Sequence, residues 1–295
     1  MKNSAQLVCE QIVREIDRSG FGADGLHVRV GDAVAEHRWS ADERAEIHSV
    51  SKAVCVLAAA LAEAEGVIDL DAPLGSFVTG VAFGAGVADR TMRHLLTMSS
   101  GIDLPWSETM LSDWPDLARE FLGRDAAGRT FQYSNASSYA AMWVLERRVG
   151  DIMEYVQPRL FDPLGIADVR WARCPNGRVR AGEGLALRTE EMARLGQLIR
   201  DRGAWAGAQL VPAAAIDAMH ADWRAAGDFP AYERYAMSGW DGPGDAWRLH
   251  GAYGQLVIFR GDAVVTVSAH DHAGADAAAV AIVATLARLA DPAAG

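Results

Sequence analysis

The chain has 295 residues, half of which are hydrophobic, and its formal net charge is −11. This size and composition predict one large domain or two closely packed domains with a substantial core, and they exclude a disordered chain. The negative charge argues against nucleic acid or an anionic membrane as a partner. The N-terminus shows no signal-peptide pattern and no apolar run is long enough to span a bilayer, so we expect a soluble cytoplasmic protein. The three cysteines are widely spaced and fit neither a disulfide framework nor a zinc site.

The N-terminal part of the chain predicts a helix, a hairpin and a second helix. Asn3 can cap an amphipathic helix at the start of the chain. Two alternating runs, Leu26 to Val30 and Ala33 to Trp39, follow it, and Gly31-Asp32 joins them as a β-hairpin. The second helix begins near Ser49.

The middle of the chain is mainly helical, and the pattern then returns to strands. The predicted helices are Thr91 to Met98, Trp114 to Leu122, Ala136 to Val149, Ile152 to Leu160, Glu190 to Asp201 and Ala213 to Met219. The predicted strands are Tyr235 to Trp240, Ala246 to Gly251, Gln255 to Arg260 and Ala263 to Ala269, before a last helix capped by Asp276 and stopped by Pro292.

Strands at both ends of the chain, with helices between them, predict an α+β fold. The antiparallel sheet is built from both termini and flanked by helices, and a mainly helical lobe is inserted. We expect a discontinuous α/β sandwich domain at residues 1–66 and 230–295, and a mainly helical domain at residues 67–229.

A serine and a lysine stand three residues apart at the start of the second helix. The run Ala53 to Ala62 is apolar on every side, which predicts a fully buried helix, and Gly66 ends it as a C-terminal cap. Because residues i and i+3 share a helix face, the amine of Lys52 is within reach of the hydroxyl of Ser49. Such a serine can attack a carbonyl while the lysine takes its proton. The pair is also compatible with a chance match in which the serine is only a cap.

Tyr133-Ser134-Asn135 forms a second candidate motif just before a predicted helix. A phenol and a carboxamide two residues apart project together from a loop, where the phenol can relay a proton and the amide can orient a substrate. The alternative is a turn in which Asn135 caps the helix that follows.

The third candidate is the segment Leu249-His250-Gly251-Ala252-Tyr253-Gly254-Gln255. Glycines around an aromatic residue at the end of a strand indicate that another group approaches the backbone closely. A bulge or a bend between strands explains the same pattern.

In this order, the three motifs resemble the serine β-lactamase and penicillin-binding protein superfamily. The resemblance covers nearly the whole chain and is to its class C-like serine hydrolases, which include esterases, D-amino-acid amidases and 6-aminohexanoate-oligomer hydrolases. Ser49-Val50-Ser51-Lys52 matches S-x-x-K, and Tyr133-Ser134-Asn135 matches Y-x-N. Three further segments also resemble the family, namely Thr91 to Gly101, Asp162 to Ile166 and Gly182 to Leu187.

The resemblance implies acyl transfer through a covalent acyl-enzyme. Ser49 is then the nucleophile, Lys52 and Tyr133 share the roles of base and acid, and Asn135 binds substrate. In this family the oxyanion hole uses two backbone N–H groups, which correspond here to those of Ser49 and Ala252.

The third motif departs from the family pattern. Penicillin-recognising enzymes have K-T-G there, and many esterase relatives have H-x-G. Placing Gly251 at the motif glycine puts Leu249 at the lysine position, whereas placing His250 at the lysine position makes Ala252 the glycine. We favour the first register, because Gly251 to Gln255 resembles the G-x-x-G-Q of the aminohexanoate-hydrolase branch. Without the lysine a true β-lactamase is disfavoured, and the expected substrate contacts are Asn135, His250, Gly251, Ala252 and Tyr253.

The sequence therefore predicts a serine hydrolase acting on a small-molecule ester or amide, with no cofactor and no metal. A transacylase that passes the acyl group to an amine or alcohol is the alternative within the same chemistry. A non-catalytic member that uses the fold for binding or assembly is the alternative from another class. The substrate and the oligomeric state stay open.

Overall fold

The computed structural model of the chain describes residues 3–105, 116–128, 131–227 and 233–290. The helices are α1 Ser4–Ser19, α2 Ser51–Ala64, α3 Met92–Leu96, α4 Leu117–Gly123, α5 Asn135–Val149, α6 Ile152–Val156, α7 Thr189–Arg200, α8 Ala213–Asp217 and α9 Ala275–Ala290. The strands are β1 Ala23–Val30, β2 Ala33–Arg38, β3 Ala45–Glu46, β4 Arg170–Trp171, β5 Leu185–Leu187, β6 Ala204–Trp205, β7 Ala208–Gln209, β8 Arg224–Ala225, β9 Arg234–Tyr235, β10 Trp240–Asp241, β11 Trp247–Gly251, β12 Gln255–Arg260 and β13 Ala263–Ala269.

The main sheet has eight antiparallel strands in the order β2-β1-β13-β12-β11-β10-β9-β8. The N-terminal and C-terminal parts of the chain meet in this sheet, where β1 pairs with β13. This arrangement confirms the predicted α+β fold. The single strand predicted from Tyr235 to Trp240 was wrong, because a turn divides it into β9 and β10: the N–H of Ala236 donates to the carbonyl of Gly239, and Ser238 has a φ of 78°.

Helices cover the two faces of this sheet. In β12, Leu256 and Ile258 join a core formed with α1 and α9, while Val257 and Phe259 join a second and larger core. Helix α7 packs on β1, β12 and β13 from that second side. The strand period of two residues thus divides the apolar side chains between two layers.

Helix α2 lies inside the larger core, and every residue from Ser51 to Ala62 is buried. The predicted cap is confirmed, because Gly66 has a φ of 69° and the N–H of Val67 donates to the carbonyl of Ala62 at 2.9 Å. The start differs from the prediction. A 3₁₀ turn, His48–Val50, holds the serine, and the α-helix begins only at Ser51.

Two other boundaries differ from prediction for identifiable reasons. The segment predicted as one helix from Ile152 to Leu160 ends as an α-helix at Val156 and continues as a π-helical turn, Gln157–Phe161. Pro158 has no N–H to donate to an α-helical ladder. Asp276 lies inside the first turn of α9 rather than at its cap. Trp114 and Pro292, which were expected to begin and to stop helices, lie outside the described residues.

One continuous core connects the sheet with the helical part of the chain, for it includes Val257 of β12, Leu57 of α2 and Leu145 of α5. The division into residues 1–66 with 230–295 and residues 67–229 stays a prediction. Within the described ranges, no helix combines the length and the apolarity that a membrane span requires.

We expect Leu57→Ala to lower the free energy of unfolding by about 2–5 kcal/mol, since it opens a cavity around a fully buried helix. Leu57 is 1% exposed, whereas Leu7 on α1 is 47% exposed and provides a matched control. Leu7→Ala should change the stability by no more than about 0.5 kcal/mol. Urea unfolding of the two variants measures both values, and equal losses would contradict the assigned core.

Candidate active site

The side chains of Ser49 and Lys52 meet at the junction of the 3₁₀ turn and α2. The Nζ of Lys52 donates a hydrogen bond to the Oγ of Ser49 at 2.8 Å. Lys52 is only 3% exposed, because α2 is buried on all sides. The contact predicted from the three-residue spacing is present, with the lysine buried and the serine partly exposed.

Two further oxygens bind the same ammonium group. Its Nζ donates to the Oδ1 of Asn135 at 2.7 Å and to the backbone carbonyl of Gly182 at 2.9 Å. An ammonium has three N–H donors, so Ser49, Asn135 and Gly182 satisfy all of them. No carboxylate is needed to hold this buried charge. The sequence motifs around Ser49 and Tyr133 therefore come together on Lys52.

Tyr133 lies against Lys52 from the loop before α5. The centroid of its ring is 4.8 Å from the Nζ, within the range of a cation–π contact. Tyr235 and Trp240 support the ring from behind, with centroids 5.9 Å and 5.4 Å away. The aromatic cluster, defined by Tyr133, Tyr235 and Trp240, fixes the phenol beside the ammonium.

Asn135 does not cap α5, so the alternative considered for it was wrong. Ser134 occupies the N-cap position with an extended backbone, and Asn135 is the first helical residue. Its side chain turns away from the helix N-terminus, to bind Lys52.

The end of β11 passes close to the backbone of the serine turn. A Cβ on Gly251 would lie 2.5 Å from the carbonyl oxygen of Ile47 and 3.3 Å from the amide nitrogen of Ser49. No larger residue fits there without movement, which supports Gly251 as the motif glycine. Ala252 follows it directly and begins a short 3₁₀ turn, Ala252–Gly254.

His250 lies on the opposite face of the sheet from Leu249, and the substrate contact expected of it stays a prediction. Paired residues of an antiparallel sheet share a face. His250 pairs with Leu256, on the side of α1 and α9, whereas Leu249 pairs with Val257, on the side of the larger core. Burial and the neighbouring Arg248 lower the pKa of His250 to about 4, so it is neutral at pH 7. His250 therefore supplies no cation in place of the missing lysine.

Tyr253 stands at the mouth of the site. It is half exposed and adopts a left-handed backbone with φ of 61°. Its ring contacts His48, the residue before Ser49, with 5.0 Å between centroids. Desolvation lowers the pKa of His48, which agrees with a packing role for that ring.

The sequence analysis missed Glu183. The Nδ2 of Asn135 donates to the Oε2 of Glu183 at 3.1 Å. This carboxylate is therefore connected to Lys52 through the side chain of Asn135. Glycines with positive φ flank it, Gly182 at 95° and Gly184 at 77°. This Gly-Glu-Gly pattern is the local sequence feature that could have pointed to Glu183. It lies within the segment Gly182 to Leu187, which resembles the family.

The structure combines an antiparallel sheet that carries helices on both faces with a serine hydrogen-bonded to a lysine at the start of a buried helix. This combination is typical of serine hydrolases with a β-lactamase-like fold. A family model described as Beta-lactamase matches residues 16–292. The chain therefore belongs to the beta-lactamase family.

Solved structures share this fold at low sequence identity. A proposed 6-aminohexanoate-dimer hydrolase from Bacillus anthracis has a TM-score of 0.78 at 16% identity, with 96% of this chain and 83% of that one covered. A class C beta-lactamase from Rhodobacter sphaeroides has a TM-score of 0.74 at 16% identity, covering 97% of this chain and 100% of that one. A D-stereospecific amidohydrolase from Streptomyces has a TM-score of 0.66 at 16% identity, covering 92% and 97%. No curated protein sequence matches the chain significantly.

We expect Gly251→Ala to slow the reaction of Ser49 with a fluorophosphonate by about tenfold or more, because the added methyl displaces β11 from the serine turn. The control is Gly123→Ala, since a Cβ there meets its first heavy atom at 3.6 Å. Intact-mass kinetics give the labelling rates, and thermal melts report folding. An unchanged rate in a folded Gly251→Ala protein would contradict the close approach described here.

Proposed function

We propose that this protein cleaves a small-molecule ester or amide through an acyl-enzyme on Ser49. The observation that carries the proposal is the partly buried hydrogen bond of 2.8 Å between the Nζ of Lys52 and the Oγ of Ser49. A base within hydrogen-bonding distance is what a serine hydroxyl needs in order to become a nucleophile.

In the proposed acylation step, Lys52 acts in its unprotonated form. The Oγ proton of Ser49 passes to the Nζ while the Oγ bonds to the substrate carbonyl carbon. The tetrahedral intermediate then collapses, and the leaving alcohol or amine takes a proton from the pair formed by Lys52 and Tyr133. An acyl ester on Ser49 remains.

In the second step an acceptor resolves the ester. Water, an amine or an alcohol gives a proton to the same pair, attacks the acyl carbon and releases the Ser49 hydroxyl. Hydrolysis and transacylation differ only in the identity of this acceptor. The backbone N–H groups of Ser49 and Ala252 are proposed to stabilise the oxyanion, since the end of β11 lies against the amide nitrogen of Ser49.

The third motif offers no cation for a substrate carboxylate, which supports a substrate that does not need one. In the favoured register Leu249 stands at the lysine position, and it is buried on the side of the larger core. His250 on the opposite side is neutral at pH 7. An ester or amide hydrolase is therefore the favoured proposal over a true β-lactamase. A cytoplasmic location and the lack of a nucleic-acid partner stay predictions.

We expect one fluorophosphonate adduct on the wild-type protein and none on Ser49→Ala, as measured by intact mass. Lys52→Ala should lower turnover of p-nitrophenyl acetate by roughly 10²–10⁴-fold, the usual contribution of a general base. Ser51→Ala is the matched control, because this neighbouring serine is buried inside α2 and should leave labelling unchanged.

A folded wild-type protein that several acylating probes leave unmodified would overturn the acyl-enzyme proposal and favour the non-catalytic alternative. If the adduct forms, product analysis with and without an added amine separates hydrolysis from transacylation. An acyl amide formed in preference to free acid would indicate the transacylase.

A further inference from the structure

The side-chain amide of Asn135 lies between an ammonium and a carboxylate. Its Oδ1 accepts from the Nζ of Lys52 at 2.7 Å, and its Nδ2 donates to the Oε2 of Glu183 at 3.1 Å. The two ends of an amide are nearly equal in shape, so its partners decide its orientation. A carboxylate only accepts hydrogen bonds, and it therefore selects the orientation with nitrogen towards Glu183 and oxygen towards Lys52.

That orientation matters most when Lys52 is unprotonated and acts as a base. The lone pair on its Nζ must then be available to the hydroxyl proton of Ser49. An Asn135 amide turned by 180° would donate Nδ2–H to that lone pair and compete with the serine. With Glu183 in place, the same rotation would bring Oδ1 against a carboxylate, which is repulsive.

Glu183 is held in place by its own turn. The indole Nε1 of Trp171, which is 6% exposed, donates to the carbonyl of Glu183 at 2.9 Å. Arg180 forms an ion pair with the other carboxylate oxygen of Glu183. The carbonyl of the preceding Gly182 accepts from Lys52, so one turn contacts both ends of the Lys52–Asn135 pair.

We propose that Glu183 is a positioning residue for the reaction, acting through Asn135 to keep the Lys52 lone pair directed at Ser49. This inference rests on the proposed acyl-enzyme function and adds a residue whose carboxylate is hydrogen-bonded to Asn135 and Arg180 rather than to the serine or the lysine.

The experiment measures kcat and KM on p-nitrophenyl acetate, and the rate constant of fluorophosphonate labelling at Ser49. Glu183→Ala should lower kcat and the labelling rate by about tenfold, with KM little changed, because only the alignment of the base is lost. Glu183→Gln should recover little of the rate, because a glutamine amide can itself turn and donate to the Oδ1 of a reversed Asn135, so the orientation is no longer selected.

Two further variants separate positioning from a general loosening of the turn. Glu46 accepts a hydrogen bond from the N–H of Gly184 at 2.7 Å, so Glu46→Ala perturbs the same turn. It should keep the labelling rate within about threefold of wild type, because Lys52 and Asn135 retain their contacts. In an Asn135→Ala background, Glu183→Ala should have no additional effect, because the residue through which it acts is gone.

Equal losses in Glu183→Ala and Glu46→Ala, or multiplicative losses for Asn135→Ala and Glu183→Ala, would overturn the positioning role. An unlabelled wild-type Ser49 would instead overturn the acyl-enzyme proposal, and this inference with it. Should Glu183→Ala melt early, Glu183→Gln provides the same test, because it keeps the length of the side chain and removes only its restriction to accepting hydrogen bonds. A wild-type labelling rate in a folded Glu183→Gln protein would then overturn the positioning role.

Discussion

The placement of one ammonium group, that of Lys52, is the constraint on which the rest of the site depends. Taking such a charge out of water costs several kcal/mol unless hydrogen bonds replace its hydration. Among the described residues, three oxygens and the face of Tyr133 replace that hydration, and none of the three oxygens belongs to a carboxylate. Those groups come from segments far apart in the chain, so the fold has to bring a turn, a helix start and a loop to a single point.

Close backbone approach is the second requirement, and two glycines satisfy it. A Cβ on Gly182 would lie 3.3 Å from the Nζ of Lys52, and one on Gly251 would lie 2.5 Å from the carbonyl oxygen of Ile47. Gly182 thus lies against the buried lysine, and Gly251 lies against the serine turn. The eight-stranded sheet fixes the second of them, since β11 is paired on both sides, by β10 and β12.

The fold and the central pair were predictable because their signals are local. The strand pattern on both sides of the Gly261-Asp262 turn predicted β12 and β13 to the residue, and continuous apolarity predicted the burial of α2. The spacing of Ser49 and Lys52 predicted their contact. Less could be predicted where the partner of a residue is distant in the sequence. Asn135 resembles a helix cap in sequence, but in the fold its side chain binds Lys52, which is 83 residues away along the chain. The sequence around Glu183 is too short and too common a pattern to have identified it as a site residue.

By itself, the amino-acid sequence determined the fold class, the family and the identity of the candidate nucleophile and base. Those features follow from periodicity and from motifs a few residues long. Only the tertiary structure decided which way His250 faces, which glycine approaches the serine, and that Glu183 lies beside Asn135. Each depends on strand register or on a loop meeting a helix, where a shift of one residue reverses the direction of a side chain. Contacts of that kind are set by the packing of the whole chain.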